Sequence, residues 1–486
     1  MSSATLQGLD KVHGVYLEGR WVTTGDVAEV INPATGEPLA RISRVNRQQV
    51  RSALEAAHAA LPAWRSLTAK ERGAMLYRIA DELSKRADEI ARTITLENGK
   101  PLAQSRGEVA MAEDHLRWFA EEGRRAYGRM IPHQIKGKRH LVVKSPIGVV
   151  GAISPWNFPL VLAVRKAAPA WAAGCPVVLK PASQTPLCAI ALAECAEAAG
   201  MPAGVFQLLV GDARMIAQEF LENPLCRKIT FTGSTEVGRE LIRGAAQSVK
   251  PLSLELGGLA PLFVFDDCDL DVAVKQTIIA KFRNTGQSCI AANRIYVQRS
   301  VHDDFVSRFV TAVKALKTSS GLEDGADVGP VVNQQGLDAA MRQIEDAKQH
   351  GGKILCGGRR VPGSKGYFLE PTVIDDVHEQ SLCMCEETFA PVAPISTFET
   401  EAKAIELANR SEYGLSAYAM TRDLGRMFRL AEQVEAGTIA INDGAPSTSQ
   451  SPFGGVKQSG WGRELGSEGL DAFLETKHVS IGIPEA

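Results

Sequence analysis

The first quarter of the chain has the spacing of amphipathic helices. Between about Arg47 and Tyr127, apolar residues recur every three or four positions, with charged residues between them. A single break at Asn98-Gly99-Lys100-Pro101 predicts the end of one helix and the start of the next.

From Pro146 onward, short β-branched runs alternate with helical stretches. The runs cover residues 149–153, 177–179, 205–209, 229–231 and 252–256, with helical stretches such as 185–199 and 236–245 between them. Strands separated by helices indicate right-handed crossovers and a parallel sheet. Ligands of such sheets bind beyond the carboxyl ends of the strands.

A second series of strands and helices runs from Leu262 to about Ile441. Its strands cover residues 262–265, 295–298 and 394–398, and a helix is expected over 301–317. The chain crosses between the two series near Gly257-Gly258, and residues 131–144 and 475–483 have the pattern of protruding strands. We predict an α/β fold with two doubly wound parallel sheets and a small β element.

The composition is that of a large globular protein. With 486 residues, 45% hydrophobic and 23% charged, the chain is long enough to bury a large core, which excludes collagen, coiled coil and disorder as its architecture. A net charge of -2 without long runs of one sign gives no indication of nucleic-acid or membrane binding. Nine cysteines form no disulfide framework, and no secretory signal or spanning stretch is visible, so we expect a cytoplasmic location.

Several familiar motifs are absent from the sequence. There is no HExxH or CxxC pattern, so no metal site is expected, and neither GxSxG nor GxGxxG occurs. Gly233 and Gly238 have phosphate-loop spacing, but Arg239-Glu240 replaces the Lys-Ser/Thr of an NTPase. Gly233-Ser234 still follows a predicted strand and opens a predicted helix, a position that favours a phosphate group.

Three polar signals stand out against this background. Cys289 lies in a polar, Gly-containing loop, whereas most other cysteines lie among apolar residues, so it is the candidate nucleophile. Glu255 ends an apolar strand, where burial would suit a general base, although a carboxylate that caps a helix fits the same position. Asn157 lies between Pro155 and Pro159 and is a candidate rigid donor for an oxyanion.

Seven segments, in chain order, resemble motifs of the aldehyde dehydrogenase superfamily, and among its members most of all the succinate-semialdehyde dehydrogenases. They are Pro155-Trp156-Asn157-Phe158-Pro159, Lys180-Pro181-Ala182-Ser183, Phe231-Thr232-Gly233-Ser234, Glu255-Leu256-Gly257-Gly258, Gly286-Gln287-Ser288-Cys289, Glu386-Glu387-Thr388-Phe389-Ala390-Pro391 and Pro452-Phe453-Gly454-Gly455. The resemblance extends from about Tyr16 to Ile483.

The resemblance implies a mechanism and a set of catalytic residues. Cys289 would attack an aldehyde to form a thiohemiacetal whose oxyanion is held by the Asn157 amide and the Cys289 backbone N–H. Hydride would then pass to the nicotinamide, and water activated by Glu255 would hydrolyse the resulting thioester to a carboxylate.

The resemblance also implies where NADP or NAD would bind. Lys180 would contact the adenosine ribose, Gly233 and Ser234 the pyrophosphate, Glu387 and Phe389 the nicotinamide ribose, and Trp156 and Leu256 the nicotinamide. Ser183 replaces the glutamate that NAD-selective relatives often carry, so we expect NADP to be preferred; the alternative is that both cofactors are used.

Arg165 and Arg283 match the arginines that hold the distal carboxylate in succinate-semialdehyde dehydrogenases, and Ser447 or Thr448 would complete that site. Structural ion pairs are the alternative role for both arginines.

Ala291 replaces a cysteine that many relatives use in a regulatory disulfide. Because Leu259 and residues 442–447 also depart from the best-known succinate enzymes, glutarate or 2-oxoglutarate semialdehyde remains an alternative substrate. A cofactor-independent cysteine acyl-transferase or hydrolase, or a non-catalytic relative, is the alternative of another class.

The same resemblance implies a domain organisation. Residues 1–128 with 146–256 would form the cofactor-binding domain and 257–441 the catalytic domain. Residues 129–145 and 474–486 would form oligomerisation strands of a homodimer or homotetramer, and 442–473 would return to the cofactor domain and the substrate mouth.

Overall fold

The computed structural model describes residues 8–484. Its strands, in chain order, are β1 (Gly8–His13), β2 (Val15–Leu17), β3 (Arg20–Val22), β4 (Val27–Asn32), β5 (Glu37–Ser43), β6 (Arg129–Ile131), β7 (Lys138–Pro146), β8 (Val149–Ile153), β9 (Val177–Lys180), β10 (Phe206–Leu208), β11 (Cys226–Thr232), β12 (Leu252–Glu255), β13 (Pro261–Val264), β14 (Arg294–Gln298), β15 (Lys353–Cys356), β16 (Thr372–Asp375), β17 (Val392–Phe398), β18 (Tyr413–Gly414), β19 (Ser416–Met420), β20 (Thr438–Ile441), β21 (Val456–Lys457), β22 (Gly460–Trp461) and β23 (Leu474–Gly482).

Helices cover the faces of the sheets. They are α1 (Arg47–Ser66), α2 (Ala69–Lys85), α3 (Ala87–Asn98), α4 (Leu102–Glu122), α5 (Val161–Ala173), α6 (Leu187–Ala198), α7 (Ala213–Glu222), α8 (Thr235–Ala245), α9 (Leu270–Phe282), α10 (His302–Lys314), α11 (Gln334–Gln349), α12 (Leu382–Cys385), α13 (Glu401–Asn409), α14 (Leu424–Gln433) and α15 (Gly466–Asp471). Short 3-10 turns follow α4 and α9 and precede α10.

The first large sheet has the strand order β22-β12-β11-β8-β9-β10-β2-β3. Its five central strands are parallel, and β22, β2 and β3 extend it in antiparallel fashion. The central strand β8 is buried along its whole length, as expected where helices cover both faces of a parallel sheet. Because these strands are in register, Ile153, Lys180, Thr232 and Glu255 all lie at the same carboxyl edge.

The second large sheet has the order β15-β16-β17-β14-β13-β19-β20 and is parallel except for β15 at one edge. The chain passes from the first sheet to the second between β12 and β13 through Gly257 and Gly258. A Cβ on Gly258 would lie 2.6 Å from the carbonyl oxygen of Cys289, so only glycine fits at this crossing.

A three-stranded sheet has the order β23-β7-β6, and all its residues are exposed or half-buried. Strand β23 pairs with β7 over nine residues, from Leu474 opposite Pro146 to Gly482 opposite Lys138. Large apolar side chains on and beside this sheet are exposed, among them Met130, Ile135 and Ile481. Such a patch is typical of a surface that meets another protein chain.

The predicted fold class is confirmed, with one correction to the helical region. The break predicted at 98–101 is confirmed, since α3 ends at Asn98 and α4 begins at Leu102. The expectation that it is the only break is wrong, because the chain also breaks between α1 and α2 and at Arg86. Thr68 begins α2 with a reciprocal cap, in which its hydroxyl accepts from Glu71 N–H and the Glu71 carboxylate accepts from Thr68 N–H. Within the described residues, no helix is long and apolar enough to cross a membrane.

Candidate active site

Two cavities meet at Cys289. One, of about 220 Å³, is lined by Pro155, Trp156, Asn157, Thr232, Gly233, Ser234, Leu256, Gly257, Cys289, Glu387 and Phe389. The other is lined by Met111, Phe158, Val161, Leu162, Arg165, Arg283, Ser288, Cys289, Ile290, Ser447 and Phe453. The residues predicted to contact the nicotinamide and pyrophosphate therefore lie on one side of the sulfur, and those predicted to contact the substrate lie on the other.

Cys289 lies in a turn whose backbone is held in an unusual conformation. The 3-10 turn Arg283–Gly286 that precedes it places Asn284 and Thr285 at positive φ, 51° and 60°. The Thr285 hydroxyl donates to the Gly329 carbonyl at 3.2 Å, and Gln287 Oε1 accepts from Val332 N–H at 2.8 Å. These buried contacts with residues 329–332 stabilise a conformation that L-residues otherwise avoid.

The surroundings of the Cys289 thiol favour its protonated form. Burial, with smaller contributions from Glu387 and Glu255, raises the pKa of the thiol to about 12 against the opposing charge of Arg165. The nucleophile must therefore lose its proton to a base when it attacks.

The backbone carbonyl of Asn157 is the meeting point of three buried side-chain donors. It accepts from Lys100 Nζ at 2.7 Å, from Asn284 Nδ2 at 2.7 Å and from Asn98 Nδ2 at 3.4 Å. The side-chain amide of Asn157 donates to the Gln287 carbonyl at 3.1 Å. An amide nitrogen carries two hydrogens, so the second is available for a substrate oxygen.

Lys100 belongs to a buried ion pair that fixes this loop. Its Nζ lies 2.6 Å from Glu108 Oε2 and 4.0 Å from the centre of the Phe158 ring. The other oxygen of Glu108 accepts from the backbone N–H groups of Leu160 and Val161, at 2.9 and 3.2 Å, and so caps the start of α5. One ion pair therefore fixes both the Asn157 loop and the helix that carries Arg165.

Glu255 is buried at the end of β12, and its Oε2 has no hydrogen-bond partner among the described residues. Burial raises its pKa well above the ordinary value, and the charge of Glu464 raises it further. Glu464 in turn pairs with Lys166 Nζ at 2.8 Å, and Lys166 also donates to Thr232 Oγ1 at 2.7 Å. A carboxyl with a raised pKa and a free oxygen has the properties of a general acid–base group near neutral pH.

Ser234 begins α8, where its hydroxyl accepts from Val237 N–H, and Gly233 precedes it with its N–H donated to the Glu255 carbonyl at 3.0 Å. A Cβ on Gly233 would collide with the ring of Phe231, and Gly233 and Ser234 both line the first cavity. A backbone that a ligand can approach, at the start of a helix, suits a pyrophosphate.

The other end of the same cavity is formed by Glu387 and Phe389. Glu387 Oε1 accepts from Gly258 N–H at 2.9 Å, and burial raises the pKa of this carboxyl to about 7. Phe389 adopts a positive φ of 42° and packs edge-on against Trp156, with ring centres 5.7 Å apart. A buried carboxyl acceptor beside two aromatic faces fits a ribose with its attached planar ring, so the cavity fits a nicotinamide cofactor.

Lys180 and Ser183 are not among the lining residues of either cavity. Lys180 ends β9, next to Ile153 in the sheet, and burial lowers its pKa to about 8. Ser183 is exposed in the turn that follows. Both lie at the carboxyl edge of the sheet but beyond the nicotinamide end, and their predicted adenosine contacts stay a prediction.

Two guanidinium groups face the second cavity without a carboxylate partner. Arg165 donates to Ser447 Oγ at 2.7 Å and to His115 Nε2 at 3.2 Å, and Arg283 lies 5.5 Å from the centre of the Phe158 ring. Within the described residues, neither forms an ion pair. Two unneutralised cations beside a candidate nucleophile define a site for an anionic group.

The sequence reasoning missed the residues that support this site from other parts of the chain. These residues form two buried ion pairs, Lys100–Glu108 and Lys166–Glu464. The pairs contact the Asn157 loop, the start of α5 and Thr232, and no local sequence pattern reveals those contacts. The signal that was available is Lys166, a charged residue that lies with Arg165 in an otherwise apolar helix. Within the described residues, no three His, Cys, Asp or Glu side chains converge as metal ligands would.

Comparisons with known proteins agree with this geometry. The profile described as "Aldehyde dehydrogenase family" matches residues 21–479. The chain is 48% identical to a glutarate-semialdehyde dehydrogenase of Pseudomonas aeruginosa, covering 96% of this chain and 97% of that protein. It is 46% identical to an NADP(+) succinate-semialdehyde dehydrogenase of Escherichia coli, covering 96% and 97% of the two chains. A crystal structure of succinate-semialdehyde dehydrogenase from Burkholderia pseudomallei superposes with a TM-score of 0.97 at 44% identity, covering 99% and 100%.

Two parallel sheets with a cysteine where two cavities meet fit the class of oxidoreductases that use a thiol nucleophile. The chain belongs to the aldehyde dehydrogenase family. It is an NAD(P)-dependent aldehyde dehydrogenase that acts on a small-molecule aldehyde.

The raised pKa of Cys289 predicts slow alkylation at neutral pH. In the cofactor-free protein, the rate of carboxamidomethylation of Cys289 by iodoacetamide should rise about tenfold per pH unit up to at least pH 10, because only the thiolate reacts. The rate is measured by mass spectrometry of the peptide that contains Cys289, with Cys289→Ala as the blank. A plateau below pH 9 would contradict the assigned pKa.

Removing one member of the Lys100–Glu108 pair should be costly. Lys100→Met leaves Glu108 buried without its partner and should lower the free energy of unfolding by about 3 kcal/mol, measured by urea denaturation. The double variant Lys100→Met/Glu108→Gln removes both charges but keeps a side-chain oxygen that can accept from the N–H groups at the start of α5. It should therefore recover most of the lost free energy of unfolding. A single variant as stable as the parent would show that the pair contributes nothing.

Proposed function

We propose that this enzyme oxidises a short aldehyde that carries a distal carboxylate, with succinate semialdehyde as the substrate. The observation that carries the proposal is the pair of unneutralised guanidiniums, Arg165 and Arg283, in the cavity that ends at Cys289. A carboxylate bound between them would leave the far end of a short carbon chain at the sulfur. Ser447 completes the anion site through its contact with Arg165.

In the proposed first step, Cys289 Sγ attacks the aldehyde carbon and its proton leaves to a base. The new oxyanion is held by the free amide hydrogen of Asn157 and by the Cys289 backbone N–H. Three donors hold the backbone carbonyl of Asn157, and the bond to the Gln287 carbonyl orients its side-chain amide, so little reorganisation is needed in the transition state. The C–H bond of the thiohemiacetal carbon then breaks as the oxyanion collapses, which leaves the thioester; a bound nicotinamide would supply the acceptor for the departing hydride.

In the proposed second step, Glu255 removes a proton from the water that attacks the Cys289 thioester. Its raised pKa gives it the affinity for that proton, and its unpartnered Oε2 provides the accepting atom. The thiol is released as the leaving group and the acid product departs. The hydrolytic step should therefore speed up as the pH rises through the raised pKa of Glu255.

We propose NADP as the preferred cofactor. Ser183 is exposed and uncharged, and Lys180 lies three residues before it at the same strand end, so no carboxylate at these two positions would repel a 2′-phosphate. The Escherichia coli relative at 46% identity is named for NADP(+), which supports the proposal.

The relatives do not separate the four-carbon from the five-carbon substrate, since the Pseudomonas aeruginosa relative is named for glutarate semialdehyde. A kinetic series of ω-carboxylate aldehydes of increasing length, with butanal as the uncharged control, tests the choice. We expect succinate semialdehyde to have the highest kcat/KM. A maximum at glutarate or 2-oxoglutarate semialdehyde would make that aldehyde the proposed substrate instead.

Neither cavity lining contains a histidine, so no observation favours a cofactor-independent cysteine hydrolase.

The predicted domains, assembly and location also belong to the proposal. Residues 1–128 with 146–256 would bind the cofactor and 257–441 would carry the nucleophile. The exposed apolar surface of the β23-β7-β6 sheet supports assembly of a dimer or tetramer through that sheet. All nine cysteines are free, which supports a reducing cytoplasmic location.

The carboxylate site predicts a selective effect of Arg283. Arg283→Ala should raise KM for succinate semialdehyde at least roughly thirtyfold, because one of two cations that hold the distal carboxylate is lost. KM for butanal should change less than twofold. Arg283→Lys keeps the charge but not the planar fork and should fall between the two. Equal changes for both aldehydes would remove the carboxylate from the proposed function.

The cofactor proposal predicts a shift on adding a carboxylate at the adenosine end. Ser183→Glu should lower the ratio of kcat/KM with NADP to that with NAD by about tenfold or more, through repulsion of the 2′-phosphate. Ser183→Gln, of the same length without charge, is the matched control. An unchanged ratio in Ser183→Glu would place the 2′-phosphate elsewhere.

A further inference from the structure

A chain of four polar side chains extends from the protein surface to the anion site. It consists of Asp114, Ser449, His115 and Arg165, of which the middle two are buried and the last faces the cavity beside Cys289. Asp114 and His115 are neighbours on α4, while Ser449 lies in the loop before β21. The proposed mechanism uses only Arg165.

The hydrogen bonds of this chain run in one direction. Arg165 Nε–H donates to His115 Nε2 at 3.2 Å, which requires that this ring nitrogen carry no proton. The proton is then on His115 Nδ1, which donates to Ser449 Oγ at 2.7 Å. The Ser449 hydroxyl donates to the Asp114 carboxylate. Every donor has an acceptor, so one tautomer of His115 satisfies the whole chain.

The neutral state of His115 is supported by its surroundings. Burial lowers the pKa of the ring well below its ordinary value, and the adjacent charge of Arg165 lowers it further. A protonated ring would place two cations in contact and would leave Arg165 Nε without an acceptor.

These contacts determine which edge of the guanidinium is free. Arg165 Nε is used by His115, and one Nη2 hydrogen is used by Ser447 at 2.7 Å. The face of the group lies 4.9 Å from the centre of the Phe453 ring, which fixes its plane. Met111 Sδ lies 4.0 Å from Nη2, a long contact that a carboxylate oxygen can displace, so Nη1 and Nη2 form the edge available for bidentate binding of a carboxylate.

We propose that His115 is a positioning residue that selects carboxylate-bearing aldehydes by fixing the orientation of Arg165. This inference rests on the proposed function, because it presupposes that Arg165 binds the distal carboxylate. The hydrogen-bond chain also holds the loop of Ser447 and Ser449 against α4, so the two contacts of Arg165 are stabilised together.

The test compares His115→Phe with His115→Gln. Phenylalanine fills much of the same space without an acceptor, whereas glutamine keeps an acceptor for Arg165 Nε and a donor for Ser449. His115→Phe should raise KM for succinate semialdehyde about tenfold, the cost of one lost hydrogen bond to a charged group, with kcat within twofold. KM for butanal should stay within twofold, and His115→Gln should restore most of the loss. Equal losses for both aldehydes, or no rescue by glutamine, would overturn the proposal.

Two further variants keep the test decisive. Ser449→Ala removes the hydrogen bond between His115 Nδ1 and Ser449 Oγ without altering α4. It should raise KM for succinate semialdehyde about threefold but leave KM for butanal unchanged. An unchanged KM for succinate semialdehyde would count against the proposal. Arg165→Met reports on the proposed function itself. If Arg165→Met leaves the preference for the carboxylate intact, the proposed substrate class is wrong. If Arg165→Met abolishes it while His115→Phe has no effect, only the role of His115 is wrong.

Discussion

The site depends on one carbonyl group, that of Asn157, which accepts from three buried donors at once. Lys100 and Asn98 reach it from the connection between α3 and α4, and Asn284 reaches it from the turn that carries Cys289. A carbonyl oxygen has two lone pairs, so three converging donors leave it little freedom to move. The amide of Asn157 and the sulfur of Cys289 thus share a common anchor, and their relative position is set by the fold. Catalysis by oriented dipoles requires this kind of rigidity.

The groups around the sulfur are of two electrostatic kinds. Burial raises the pKa of Glu255, Glu387 and Cys289, which lowers the negative charge that these groups carry near neutral pH. Arg165 and Arg283 give the substrate side its positive charge. An overall net charge of -2 conceals this local separation, because it averages over the whole surface. An anionic group therefore meets favourable charge in the cavity that Cys289 also lines.

Sequence patterns predicted most of the architecture and the residues nearest the reacting atoms. Parallel strands such as 149–153 were evident because helices cover both of their faces and they must be apolar throughout. Cys289, Glu255 and Asn157 were evident because each is polar just beyond an apolar strand or helix. Lys100, Glu108 and His115 could not be found in this way. Their importance comes from partners 50 to 334 residues away, and such contacts leave no local periodicity. The breaks at Leu67 and Arg86 were missed because the apolar spacing continues across them.

The meeting of two cavities at a single sulfur has a consequence for how such a protein can diverge. Cys289 lines both cavities, but the remaining lining residues are different, and the two sets come largely from different parts of the chain. Substitutions at Met111, Phe158 or Phe453 alter the shape available to one reactant and leave the lining of the other cavity unchanged. A few replacements in the second cavity can therefore change the substrate preference while the lining of the first cavity stays the same. This modularity makes the scaffold permissive for many aldehydes while its chemistry stays the same.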